Sequence, residues 1–138
     1  MTTADGLVAG QAYNVYLYFN GNSGWSLMGG LSEAGIEGFS DVNRTIGAND
    51  HIGADDASGR VVHVGGGYQD ATYRALLGVA VATVDGIDVY IDDPDNSDPA
   101  GSVDANRAWY DGVGFEAVPE PATMVLLGLG SLLLRRKK

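Results

Sequence analysis

Tyr13-Asn14-Val15-Tyr16-Leu17-Tyr18-Phe19-Asn20 alternates Tyr13, Val15, Leu17 and Phe19 with Asn14, Tyr16, Tyr18 and Asn20. β-branched and aromatic residues at period two specify a strand. Aromatic side chains on both faces predict a strand central in a sandwich. Gly21-Asn22-Ser23-Gly24 reads as a turn, and Trp25–Leu31 as the strand that returns from it.

Further along, residues 32–59 are rich in glycine and acid with weak periodicity, a long loop with room for short strands. Arg60–Val64 reads as a strand and Gly65-Gly66-Gly67 as a break. Ala71–Thr83 is expected to be a buried strand, with Val79, Val81 and Thr83 alternating against Ala80 and Ala82. Asp85-Gly86 is a strong hairpin signal. Ile87, Val89 and Ile91 alternate with Asp88, Tyr90 and Asp92, one core face and one wet face. Asp93–Asn106 is an acidic loop, and Ala108–Val118 closes the series as the last strand. Six to eight short strands without an amphipathic helix predict an antiparallel all-β sandwich of jelly-roll type over residues 1–117. Residues 118–138 form a second segment, with a short C-terminal hydrophobic helix.

Gly6–Phe19 and Trp109-Tyr110-Asp111-Gly112-Val113-Gly114-Phe115 resemble segments of galactose-binding-like jelly rolls. That resemblance implies a fold shared with many carbohydrate-binding modules and exported surface proteins.

The composition narrows the function. Of 138 residues, 21 are glycine, about twice the usual share, which suits turns and short strands better than helices. No cysteine is present, which excludes a disulfide framework, a thiolate zinc site and a cysteine nucleophile. The net charge of −10 argues against a nucleic-acid partner, because phosphates demand basic surfaces. The charge is also segregated. Residues 1–118 hold four arginines against seventeen acids, whereas the chain beyond Pro121 has four basic groups and no acid.

Ala122–Leu134 reads ATMVLLGLGSLLL, an uncharged apolar run. As a helix it would be about 20 Å long, short against a hydrocarbon core of roughly 30 Å. Arg135, Arg136, Lys137 and Lys138 follow at once, a basic anchor suited to the cytoplasmic face. Pro119 and Pro121 in front of the run break any incoming helix or strand. Val118-Pro119-Glu120-Pro121-Ala122, the apolar run and the basic cluster together resemble the PEP-CTERM sorting signal of exported bacterial proteins. The resemblance implies a membrane-held intermediate processed by an exosortase and a final place at the cell surface or in the extracellular matrix. An exported protein also needs an N-terminal signal with basic residues and an apolar run of about 7–15 residues. Met1–Gly10 has neither, so either the sequence is a fragment or its start is misplaced; Gly6–Gly10, which reads as a connection entering a strand, favours a fragment, and the jelly-roll resemblance implies that N-terminal strands are missing.

Candidate chemistry is sparse. His51 stands near Asp50, Asp55 and Asp56, where a solvated loop competes with a metal site; His63 falls inside a strand. No G-x-S-x-G elbow surrounds a serine. The six threonines form no repeat of the kind an ice-binding array requires. Asp92, Asp93, Asp95 and Asp98, with Asp111 on the last strand, are candidate calcium ligands, since calcium takes six to eight oxygens. The competing reading is a solvated acidic turn that keeps the domain soluble. Trp25, Tyr90 and Tyr110 are candidate stacking platforms for a polysaccharide, while Trp109 is expected in the core. Asn43-Arg44-Thr45 matches a glycosylation sequon. The sequence thus points to an exported, non-catalytic surface or matrix module. Carbohydrate binding is the alternative, and a small glycan-active hydrolase, which needs a carboxylate pair across a cleft, the remaining one.

Overall fold

In the computed structural model the described residues are 2–4, 6–21, 26–42, 44–46, 49–66, 71–92 and 109–119, with only the backbone described at 2–4, 44–46 and 49–51. Ten strands occur among them: β1 (Thr2–Ala4), β2 (Ala12–Asn20), β3 (Ser26–Gly30), β4 (Glu37–Ser40), β5 (Arg44–Ile46), β6 (Asn49–Ile52), β7 (Val61–Gly65), β8 (Thr72–Val81), β9 (Ile87–Asp92) and β10 (Trp109–Ala117). A single 3-10 turn, Glu33–Gly35, precedes β4. The strands form a six-stranded sheet ordered β1-β9-β3-β4-β6-β5 and a four-stranded sheet ordered β10-β2-β8-β7. Neighbours run antiparallel except for β4 and β6, which are parallel. The all-β sandwich read from the sequence is the fold.

The alternation in β2 decides where the core lies. Tyr13, Val15, Leu17 and Phe19 are buried, and each residue between them is only partly covered. Two apolar clusters fill the space between the sheets. Leu17, Phe19, Val61 and Ala75 of the smaller sheet meet Leu27 and Phe39 of the larger one. Nearer the β2 start, Tyr13 and Val15 meet Ile87, Val89 and Ala82. Leu77 packs against both clusters. It is the extra residue of a bulge in β8, between the pairs Val15–Gly78 and Tyr16–Leu76; the bulge shifts the alternation beyond it, so that Val79 and Val81 stand outward although Ala75 and Leu77, of the same parity, face the core.

Several expectations need correction. Residues 22–25, which include most of the expected Gly21–Gly24 turn, lie outside the described residues, and the segment after the turn does not return beside β2. Both edges of β2 are occupied, by β10 and β8, so β3 joins the opposite sheet between β4 and β9. Gly29 faces back across the core, where an added Cβ would lie 2.8 Å from Leu17 Cδ2. Asp85-Gly86 does form a tight turn, closed by Thr83 and Gly86, whose N–H groups each donate to the other's carbonyl. It carries the chain from one sheet to the other instead of closing a hairpin. The short strands for which 32–59 has room are present, β4, β5 and β6, all in the larger sheet. Ala71–Thr83 is buried only on one side, because Val79 and Val81 stand on the outer face of the small sheet.

Trp109 is the largest departure: it is 69% exposed, not in the core. It opposes Asn20, an outward position of β2, and β10 is an edge strand. Tyr110 is exposed as well, at the strand's start just before the bulge at Asp111.

Candidate functional site

Two regions of the small sheet bear on function: its outer face and the junction with the C-terminal segment. Register fixes the outer face. Tyr18 stands between Gly112 of β10 and Arg74 of β8, and Tyr16 between Gly114 and Leu76. Asn20 has Trp109 and Thr72 as neighbours, and Asn14 has Glu116 and Val79. Because strand side chains alternate, all of these share the face turned away from the core.

The glycines of β10 let the rings lie down. A Cβ at Gly114 would sit 2.7 Å from Tyr18 Cε2, so the Tyr18 ring occupies the space a side chain would take. The guanidinium of Arg74 lies 4.4 Å from the centroid of the Tyr16 ring. Such a cation–π contact contributes about 0.5–1 kcal/mol at an exposed site. The Tyr16 hydroxyl donates to Glu116 Oε2 at 2.9 Å, and that bond raises the phenol's pKa above its ordinary value. The Thr72 hydroxyl donates to Asn20 Oδ1 at 2.9 Å. The result is an open aromatic surface edged by amide, guanidinium and carboxylate groups. Its chemistry suits flat ligands with an apolar face and hydroxyls at the rim.

The second region is the end of β10. The Val118 N–H donates to the Ala12 carbonyl at 2.8 Å, one residue beyond the strand. The Gln11 side-chain amide donates to the Val118 carbonyl at 2.7 Å and to the Ala12 carbonyl at 2.9 Å. The folded sheet therefore reaches Val118, and the exposed Pro119 is the next residue. Glu120, Pro121, Ala122, the apolar run to Leu134 and the basic residues Arg135–Lys138 lie outside the described residues. Among the described residues, no helix is long and apolar enough to cross a membrane.

The other candidates scatter. Asp92 ends β9 in the large sheet and Asp111 sits in the β10 bulge of the small one, both exposed. Asp93, Asp95 and Asp98 lie outside the described residues, among which no three acidic or histidine side chains gather as a metal site would need. His51 is in β6 of the large sheet, whereas His63 is exposed on β7 of the small one, its ring 5.3 Å from that of Tyr73. Of the three proposed sugar platforms, Trp25 is outside the described residues. Tyr90 is half-covered on the wet face of β9, and Tyr110 is exposed at the start of β10. The structure does not bring Tyr90 and Tyr110 onto one sheet. None of Tyr16, Tyr18 and Arg74 stands out as a ligand residue in the sequence, and Trp109 reads as a core residue, because alternation does not say which face of β2 lies outward. The available signal was the pair of asparagines, Asn14 and Asn20, in register with the two tyrosines.

Residues 117–138 match the family model of the PEP-CTERM protein-sorting motif. No curated protein and no solved structure matches the chain. The motif marks an exported protein that an exosortase sorts, held at the membrane and then passed to the surface. Its match begins at Ala117, the last residue of β10, so the final strand and the sorting signal are continuous.

Proposed function

We propose that the sandwich is a non-catalytic module of the cell surface or extracellular matrix, delivered there by its C-terminal signal. The continuity of β10 with the sorting motif carries this reading: the chain offers no spacer between the exported fold and its address. Deleting Ala122–Lys138 should convert a membrane-retained protein into a freely released one in a native host. Identical fractionation of the truncated and full-length chains would remove the sorting role.

The aromatic outer face favours a second reading, binding of a polysaccharide. Pyranose rings present apolar C–H faces that stack on tyrosine and tryptophan, while Asn14, Arg74 and Glu116 supply partners for hydroxyls. Native gels of the full chain in mild detergent, cast with different polysaccharides, test this. Retardation by one glycan, lost in Tyr18→Ala and weakened in Gly114→Ala, is expected. Unchanged mobility in every glycan refutes the binding reading and leaves the structural one.

A further inference from the structure

The sorting signal leaves the domain at one identifiable end. Val118 is bonded to Ala12, the start of β2. Gly10 donates to the Ala82 carbonyl at 2.8 Å and Ala82 to that of Gln11 at 2.9 Å, which binds the end of β8 to the same place. From Ala82 the chain enters the Thr83–Gly86 turn. The segment before β2 is fixed there too, because the Val8 N–H donates to the Tyr13 hydroxyl and the Val8 carbonyl accepts from Gln11. Two loops and the sorting junction thus share one pole of the sandwich.

That pole is apolar at its tips. Val84, in the middle of the Thr83–Gly86 turn, is 89% exposed, and Val8 is 66% exposed. Val81, the last residue of β8, is 60% exposed. Single exposed valines are ordinary, but these stand around the point where the chain departs for the membrane. Three residues, four Cα-to-Cα steps, lead from Val118 to Ala122, the first of the apolar run. Fully extended, they span at most about 14 Å. While the apolar run is in the bilayer, the pole is held within that distance of it.

We infer that this pole is a bilayer-facing surface, on which Val8, Val81 and Val84 enter the interfacial layer of the membrane that holds the sorting segment. The inference rests on the membrane-held state of the tail and adds an orientation and a contact to it. The occupant is lipid, not a protein, because the short tether brings lipid to the pole at no further cost in encounter. Asp85 shares the turn with Val84, so the contact is apolar and owes nothing to attraction by anionic headgroups.

The test uses the absence of cysteine from the chain. Single cysteines at Val8, Val84, Val62 and Ser131 carry an environment-sensitive nitrobenzoxadiazole dye. The full-length protein is reconstituted in vesicles of phosphatidylethanolamine and phosphatidylglycerol. Val62, 42% exposed on β7, reports the half of the small sheet away from the junction. Ser131 reports insertion of the apolar run itself. Aqueous iodide should quench dyes at 8 and 84 roughly threefold less than at 62, and lipid-borne nitroxide should quench them more. The difference should survive high salt. Equal quenching at 84 and 62 with position 131 protected overturns the lipid-facing pole and leaves the tail reading intact. An unprotected position 131 overturns the membrane-held tail and the pole with it.

Discussion

Gln11→Ala removes one side-chain amide that holds two carbonyls, those of Ala12 and Val118. The backbone bond from Val118 to Ala12 remains. Each net hydrogen bond is worth about 0.5–1.5 kcal/mol, and both acceptors are part-buried, so the two together contribute about 1–2 kcal/mol. That corresponds to a five- to thirtyfold rise, roughly, in the population of the opened junction. Amide hydrogen exchange read by NMR on the full chain in detergent micelles measures it. Exchange of the Val118 amide should accelerate by that factor, and core amides that open only with the whole domain by no more than the same factor. The Ser58 and Gly59 amides, in the separate Asp56–Gly59 turn, should not change. Gln11→Glu sharpens the test: a carboxylate has no N–H to give and sets negative charge against two carbonyl oxygens, so it should loosen the junction more than alanine. A Val118 amide unaffected by both substitutions would refute the claim that Gln11 pins the sorting junction. The functional consequence is that a loosened junction exposes more of β10 to a processing enzyme.

Phe39→Ala should destabilise the domain by about 3–5 kcal/mol in chemical denaturation, since its ring is fully buried between the sheets. Arg60 joins the two sheets by donating to the Leu76 carbonyl at 3.0 and 3.2 Å, bridging to Glu37 and covering the Phe39 ring at 5.3 Å. Arg60→Ala should therefore cost about 1–2 kcal/mol, and Glu37→Gln under about 0.5 kcal/mol because that pair is solvent-screened; equal losses would show the ion pair to be the main term. Asp56 is held below the ordinary carboxylate pKa by hydrogen bonds from Ser58. A depressed carboxylate contributes above its unfolded pKa, and the contribution is lost as pH falls through the folded value. The Ser58 amide resonance should follow that acidic titration, and Asp56→Asn should abolish the pH response.

The sequence alone specifies the clearest strands, β2 and β9 above all, because period-two alternation needs no knowledge of neighbours, whereas β1 and the short strands within 32–59 carry too weak a pattern to be marked one by one. Tyr13, Val15, Leu17 and Phe19 face the core as their spacing requires, and Ile87 and Val89 do the same in β9. The sorting segment was equally legible, since its meaning lies in the order of a Pro-Glu-Pro motif, an apolar run and a basic end. What local pattern could not supply was partnership. A turn signal says that the chain reverses but not which sheet receives it, and so Asp85-Gly86 and the step into β3 looked like hairpins. Only the tertiary arrangement, with both edges of β2 and both edges of β8 already taken, sends those strands across the core. The same holds for the aromatic face. Tyr16 and Tyr18 alternate as a buried set would, and it is their place on the outer face of the small sheet, which no other sheet covers among the described residues, together with Gly114 beneath a ring, that makes them a surface. Trp109 follows from the same cause: an indole on an edge strand, opposite an outward residue, finds no core to enter.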